Sequence, residues 1–493
     1  MAHQHKRGIA RTQTALLPAA VEDYVAAHSI VRVIDEYVNG LDMVALEFDK
    51  SVPAATGRPG YAPDDLLRLY LYGYWNRVRS SRRLEIECKR NLEAMWLMSQ
   101  LAPDHKTIAD FRRVNARAFQ LMCAQFVQFL RGQKLVGGEA PVVAVDGSKF
   151  KASASKSSLV TAEQAAKQRQ KIEQRIGQYL EQMDQADAQE DAEVEPSAER
   201  IEAALKRLRQ RDQQLEQAQA ELAAQGAGAK AKEERTPRVG LTDPDCVMLS
   251  GKGGATLAGY NVQQAVDAQH KLIVAHEVTT HANDRTSLEP MASQAQQVLG
   301  AAEMTVLADT GYMNGAQAQG CEAKGITPVV PMPEVPNTHG EAFYPKRMFS
   351  YDKTTDSYRC RAGEVLKRYK HDRTAETDYY WTRACAGCAH KARCTKSERR
   401  SIARSWYAEA AERAHERARG NATLMRLRSA TAEHPFGNLK AILDGGFLLR
   451  TLPKVKGEMA LGVLTYNLKR TLNILGIEQL MQKLRTHRTL ISV

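Results

Sequence analysis

PVVAVDGSKF, residues 141–150, is where the chain changes character and where its fold is decided. Before Gly137 apolar residues recur at three- and four-residue spacing, the mark of helices. VVAV is instead a short unbroken apolar run, suited to a buried strand, and it ends on the polar DGS. Reading outward, AGYNVQQAVDAQ (258–269) and KLIVAHEVTT (271–280) are strand-like runs with a turn near Gln269 and His270. RTSLEPMASQAQQVLG (285–300) has helical spacing, TVLADTGY (305–312) is again a strand, NGAQAQGCEAKG (314–325) a short helix and ITPVVPMP (326–333) a last strand. Strand, hairpin, helix, strand, helix, strand is the order of a mixed α/β core.

The chemistry gathers on this framework. Asp146 is expected where the strand VVAVD ends and Asp309 where TVLAD ends, and carboxylates at the ends of neighbouring strands converge at one edge of a sheet. RLRSATAEHPFGNLKAI (426–442) adds Arg428, Glu433 and Lys440 in a helical context. Six residues, roughly two turns, separate Glu433 from Lys440, so both can face one cleft. Three carboxylates repel one another too strongly to share a site without cations. Their oxygens suit Mg²⁺ or Mn²⁺, and two such ions activate a water or 3′-hydroxyl and stabilise the leaving oxygen of an in-line phosphoryl displacement. Taken singly, Asp-Gly and Asp-Thr-Gly are common turns, and Arg, Glu and Lys on a helix are a common solvated face. The three stretches together, in this order, carry the reading. Pro435, two past Glu433, is expected to put the glutamate at a helix start or kink. In THANDRTS (280–287) His281 and Asp284 are expected to cap the following helix, with Asp284 also able to face the cleft. Asp243 and Asp245 in LTDPDCVM (241–248) are expected in a turn.

With 493 residues the chain has room for two or three domains with sizeable cores. A net charge of +12 suits either simple solubility or a nucleic-acid partner drawn by counterion release. The start, MAHQHKRGIARTQTALL, lacks the apolar run of a signal peptide, and nothing has the length of a membrane span. The expected compartment is therefore the cytoplasm, where disulfides are rare, and the eight cysteines read as buried thiols or metal ligands. Residues 20–136 read as helices. Between Trp75 and Arg90 they carry Arg79, Arg82 and Arg83 beside a tight connection, which suits helix-turn-helix DNA binding as well as a plain basic face. Residues 159–234, rich in Gln, Glu, Ala, Lys and Arg, read as a helical hairpin or short coiled coil. Residues 336–404 have short β-like runs and the cysteines Cys360, Cys385, Cys388 and Cys394, spaced C-x24-C-x2-C-x5-C. These suit a tetrahedral structural Zn²⁺, with His390 as a substitute ligand, or unliganded thiols. Trp381, beside Tyr379 and Tyr380, is placed either to stack on an unpaired base or to fill a core.

VAVDGSKF, LADTGYMNG and AEHPFGNLK resemble the three catalytic blocks of bacterial insertion-sequence transposases of the DDE type, which have a ribonuclease H-like core. GRPGYAPDDLLRLYLYGYWNRVRSSRRLEIECKRNLEAMWLM and PDHKTIADFRR resemble the N-terminal domain of the same group. The resemblance implies that Asp146, Asp309 and Glu433 are a metal-binding catalytic triad, that Lys440 touches a phosphate of the transposon end, and that Arg428 lies nearby. The family signature places Arg four residues before Glu; here Ser429 holds that place, and Met425 stands where a Tyr is expected. The expected layout is a basic arm (1–19), an N-terminal helical DNA-binding domain (20–136) and a catalytic core (137–158, 235–335 and 405–452). The hairpin insertion (159–234), the cysteine-containing β-rich insertion (336–404) and C-terminal helices (453–493) complete it. The N-terminal domain and the basic C-terminal helices, centred on KVKGEMALGVLTYNLKRTLNIL, are expected to grip duplex DNA. The whole is expected to pair two transposon ends as a homodimer on DNA, on a bacterial nucleoid. The alternatives are a DNA-binding protein descended from a transposase that no longer cleaves, and a nuclease that hydrolyses but cannot join.

Overall fold

The computed structural model describes residues 20–53, 55–56, 60–187, 195–228, 237–250, 254–333 and 343–491. The expected basic arm lies outside the described residues. Six helices come first: α1 (Ile30–Asn39), α2 (Pro63–Trp75), α3 (Ser81–Arg90), α4 (Leu92–Leu97), α5 (His105–Val114) and α6 (Ala116–Gly132). Their ends follow from local chemistry. Ser29 accepts from Val31 N at the start of α1, Pro63 with Asp64 and Asp65 opens α2, and Asp104 accepts from Lys106 N and Thr107 N at α5. The α2–α3 connection is tight enough that a Cβ on Gly73 would lie 2.5 Å from the carbonyl oxygen of Val78, so only glycine fits.

After α6 come β1 (Val142–Lys151), β2 (Leu159–Val160), the long α7 (Ala162–Asp187) and α8 (Glu195–Gly228), and β3 (Val239–Gly240). α7 and α8 pack through Ala165, Ile172, Leu215, Ala218 and Leu222, are tied by Arg169 to Asp212 at 2.9 Å, and stand on the antiparallel pair β2–β3. The chain then returns to the sheet as β4 (Val247–Ser250), β5 (Thr256–Asp267), β6 (Ile273–Thr279), α9 (Leu288–Leu299), β7 (Met304–Leu307), α10 (Gly315–Ala323) and β8 (Ile326–Val329). Apart from β4, which the sequence reading did not include, this is the element order read from the sequence.

The fold is mixed α/β, and the sheet itself is mixed. β1 runs antiparallel to β5 from Val143↔Asp267 to Lys151↔Gly259 and parallel to β7, which is parallel to β8. β4 and β6 share the outer edge of β5, each antiparallel to it. Because side chains alternate along a strand, Val143 and Val145 enter the large core that includes Met291, Ala292 and Ala295 of α9. Ala144, Leu307 and Val329 form a row on the other face. That row is covered by Ala418 of α11 (Ala408–Gly420) and Ala432 of α12 (Ala422–Ile442). Before α11 a second, antiparallel sheet has the order β13-β12-β11-β10-β9. Its strands are β9 (Ser350–Asp352), β10 (Ser357–Arg359), β11 (Val365–Asp372), β12 (Thr377–Trp381) and β13 (Ile402–Ser405), around Phe349, Tyr358, Leu366, Tyr380 and Ile402.

The chain ends in α13 (Leu452–Leu475) and α14 (Ile477–Ile491). Expected at a DNA-gripping surface, α13 is instead the central beam of the molecule, buried at almost every position from Val455 to Leu468. Its apolar residues run all round rather than along one stripe, which is the pattern of a helix enclosed on all sides. A Cβ on Gly457 would lie 2.4 Å from the Cα of Ala116, so α6 and α13 touch backbone to backbone. One continuous hydrophobic core joins the N-terminal helices, the sheet and α13, so the boundary expected at residue 136 is not a break in packing.

Candidate active site

Two features of β1 and β7 place the first two aspartates together. β1 and β7 are adjacent and parallel, with Ala144 opposite Leu307, so Asp146 and Asp309 lie two residues beyond a matched pair. Asp309 follows the end of β7, where its Oδ1 accepts from Gly311 N at 2.8 Å and caps the turn Thr310–Tyr312. Asp146 is not at a strand end as expected. β1 continues through Gly147, Ser148 and Phe150 to Lys151, because β5 keeps pairing with it and DGS remains in register. Asp146 therefore sits mid-strand on the face that α12 covers. Burial pushes its carboxyl up to about 6, the charges of Asp309 and Asp284 push the same way, and the Gly147 N–H and the Arg428 guanidinium oppose them.

α12 is fixed along this face by several contacts. Gln264, the register partner of Asp146, donates from Nε2 to the Ala432 carbonyl at 3.2 Å, and Phe436 packs on Phe150 with ring centroids 6.4 Å apart. The turn after α12 zips onto the end of β1: Lys151 N donates to Gly445 O at 3.0 Å and Phe447 N to Lys151 O at 2.9 Å. Arg428 is near enough for its charge to act on Asp146, and its Nε is buried with no hydrogen-bond partner among the described residues. Lys440 lies over the Phe150 ring with Nζ 5.8 Å from the centroid. Glu433 is on the same helix, but its carboxylate is exposed and accepts from Ser429 Oγ at 3.0 Å. The helix runs unbroken through Pro435, so Glu433 is mid-helix rather than at a start or kink. The cost of Pro435 falls on one backbone bond, the one its missing N–H would have given to the Thr431 carbonyl.

Asp284 belongs to this neighbourhood, and its expected capping role is not what its carboxylate does. Oδ1 accepts from Asn261 Nδ2 at 2.7 Å and from Gln263 Nε2 at 2.6 Å, both on β5. The buried Tyr312 hydroxyl donates to Gln263 Oε1. A Cβ on Gly147 would stand 2.6 Å from Gln263 Nε2, 2.8 Å from Asp284 Oδ1 and 3.1 Å from the Tyr312 hydroxyl, so the glycine of Asp-Gly leaves the space this network occupies. Asp243 and Asp245 are structural: Asp243 accepts from Tyr260 and Thr451 N, and Asp245 accepts from Leu452 N at the head of α13.

The expected DNA-contacting arginines divide. Arg82 and Arg83 are exposed on α3. Arg79 is turned inward, donating to the Gly446 carbonyl at 2.9 Å and pairing with the fully buried Glu458 at 3.4 Å. The four cysteines converge on a cavity of ≈ 30 Å³ at one end of the second sheet, with His390 and Arg400 also in its wall. None of the four is in a disulfide, and burial, with its three cysteine neighbours, raises Cys394 while Arg400 opposes the rise. His390 is engaged by the Tyr344 hydroxyl at 3.1 Å. Trp381 packs on Tyr369 at 4.9 Å with the Arg399 guanidinium 4.0 Å over its ring, while Tyr380 is core. Among the described residues no group of three or more His, Cys, Asp or Glu side chains is arranged to hold a metal ion, and no helix is long and apolar enough to cross a membrane.

The mixed sheet carries paired aspartates under a helix with Glu and Lys, and comparison with known proteins gives the family. Residues 19–114 match the family model described as a transposase domain (DUF772), and residues 235–468 match the model described as the transposase DDE domain. The chain belongs to the DDE transposases of insertion sequences. The second match spans Asp309 and Glu433; Asp146 lies in neither range. No curated protein matches the sequence. A solved structure, the cryo-EM structure of a piggyBac transposase synaptic complex with hairpin DNA, aligns over 93% of this chain and 76% of its own. Its identity is 8% and its TM-score 0.29, a likeness too distant to carry an argument.

Proposed function

We propose that this transposase binds the terminal inverted repeats of its element and cuts and joins DNA through Asp146, Asp309 and Glu433, with Mg²⁺ or Mn²⁺. The observation that carries the reading is Asp146: a carboxyl dehydrated on a strand, facing the charges of two other aspartates, is a group whose ionised form a divalent cation would stabilise. The donor set, carboxylate oxygens only, fits a hard cation, although the three side chains do not yet enclose one point. Bound ions would activate the attacking hydroxyl and stabilise the leaving oxygen. Arg428, with its unpaired Nε, is the cation beside Asp146 that suits a DNA phosphate, and Lys440, on the same helix as Glu433, is the second phosphate contact that the family resemblance implies. The run β6-β5-β1, antiparallel, continued by parallel β7 and β8, supports a ribonuclease H-like core. Arg82 and Arg83 on α3 offer a second contact with duplex DNA. Pairing two ends calls for at least a dimer, and the projecting α7–α8 hairpin is the candidate arm. The cysteine-lined cavity is the candidate for a structural Zn²⁺.

The test is a labelled duplex carrying the element's own ends, incubated with the full chain in Mg²⁺, Mn²⁺ or chelator. Metal-dependent nicking followed by joining to a target supports the reading. Nicking without joining points to a hydrolytic nuclease, and tight binding with no cleavage in either metal points to a DNA-binding descendant.

A further inference from the structure

Asp284 reaches the centre from the face of the sheet opposite Glu433. Asp146 projects towards α12, while the next residue, Gly147, has its missing Cβ directed at Asp284, Gln263 and Tyr312 on the other side. Two amides converge on one oxygen, Oδ1, and no donor among the described residues reaches Oδ2. That second oxygen lies 4.0 Å from where a Gly311 Cβ would be, and Gly311 is the residue whose N–H holds Asp309. The arrangement is oriented rather than accidental. The Tyr312 hydroxyl occupies Gln263 Oε1, which obliges the amide nitrogen to point at Asp284. Burial and the charges of Asp284, Asp146 and Asp309 keep that hydroxyl protonated. Were Asp284 only a cap for α9, its carboxylate would accept from the first turn. Ser287 holds the N-cap position without a side-chain bond, and only the main-chain oxygen of Asp284 takes the Ser287 N–H, at 3.0 Å. A carboxylate held by two buried β5 amides, under two glycines, beside two catalytic aspartates, has a purpose beyond ending a loop.

We infer that Asp284 is a positioning carboxylate of the catalytic centre: through the Asn261–Gln263–Tyr312 clamp it adds a fixed negative charge beneath β1 that draws a divalent cation to Asp146 and Asp309. The inference rests on the metal-dependent reading above. It is tested by titrating the full chain with Mn²⁺ in a calorimeter, comparing wild type, Asp146→Asn and Asp284→Asn. Asn at 284 keeps an acceptor for both amides and removes only the charge, so Mn²⁺ binding should weaken by roughly tenfold, the scale of one charge at a partly solvated site. Asp146→Asn should weaken it at least as much. If wild type binds Mn²⁺ and Asp146→Asn weakens binding while Asp284→Asn leaves it unchanged, the role of Asp284 is overturned and the triad stands. If wild type binds no Mn²⁺, the metal-dependent reading falls and this inference with it. Should Asp284→Asn fail to fold, Tyr312→Phe carries the test, because it removes only the hydroxyl that orients Gln263. Weaker Mn²⁺ binding in that variant supports the inference, and unchanged binding overturns it.

Discussion

Replacing Glu458 by Gln should destabilise the protein by about 3 kcal/mol, the lower end of the range for breaking a buried ion pair from one side. The size follows from what surrounds the carboxylate. Glu458 is 0% exposed; it accepts from Leu448 N at 2.9 Å and Leu449 N at 2.8 Å, and Arg79 and Arg112 approach it at 3.4 and 3.9 Å. Those arginine side chains are themselves only 10% and 7% exposed, so the charge Glu458 supplies cannot be replaced by water. Gln retains a carbonyl for the two backbone N–H groups, which keeps the cost from rising further, but it leaves two buried guanidinium groups without an anion. The consequence reaches the site, because Arg79 also holds Gly446 in the turn that ties α12 to β1. Urea unfolding followed by circular dichroism, with Arg79→Met and the double variant completing a cycle, measures it. The expected coupling between positions 79 and 458 is about 1–3 kcal/mol. A Glu458→Gln protein within about 0.5 kcal/mol of wild type, or a cycle with no coupling, would mean that Glu458 is not what holds the two buried arginines.

Gly147→Ala should leave the sheet folded but push Gln263 and Asp284 apart, since its Cβ meets them at 2.6 and 2.8 Å. An overpacking cost of about 1–3 kcal/mol and a cleavage rate well below wild type are expected, read by thermal melting and a nicking assay. Burial, with Lys456 nearby, holds His276 down to about 4 against an ordinary 6.5. The unfolded chain then takes up this proton first as pH falls, so stability is intact above about pH 6.5 and declines towards pH 4 by at most about 3 kcal/mol. His276→Gln should flatten that part of the stability–pH curve. Metal analysis of protein purified without chelator should find about one zinc per chain, and Cys388→Ser together with Cys394→Ser should abolish it and lower the melting temperature. Zinc-free protein with the same melting temperature would assign the cysteines to packing alone.

Much of the fold was legible because it rests on local periodicity. The strands β5, β6, β7 and β8 and helices α9 and α10 lie over the runs read as strands and helices, whereas β1, read as ending at Asp146, runs on to Lys151. The position of Asp309 was also legible, since a strand ending on Asp-Thr-Gly is read from neighbouring residues. What escaped depended on partners distant in sequence. Nothing local distinguishes Arg79 from Arg82 and Arg83; only Glu458, far along the chain, turns the first inward. KVKGEMALGVL looks basic in sequence, yet α13 becomes a core helix because helices and sheet close over it from both sides. Asp284 reads either as a cap or as a residue facing the cleft, and only the two amides of β5 decide between them. The available signal was two polar residues, Asn261 and Gln263, at alternate positions of β5, on one face of a strand buried almost throughout. Pro435 misled because a helix packed on a sheet can lose one hydrogen bond and continue.

In the proposed function α12 brings Glu433 to a catalytic centre formed by Asp146 and Asp309, although its carboxylate rests on Ser429 in this structure. The most direct measurement is cleavage of a duplex carrying the element's ends by Glu433→Gln in Mn²⁺, alongside binding of the same duplex. Binding should stay close to wild type while nicking falls by at least about a thousandfold, as expected for loss of a carboxylate that acts in the transition state. Nicking by Glu433→Gln at the wild-type rate would contradict that role.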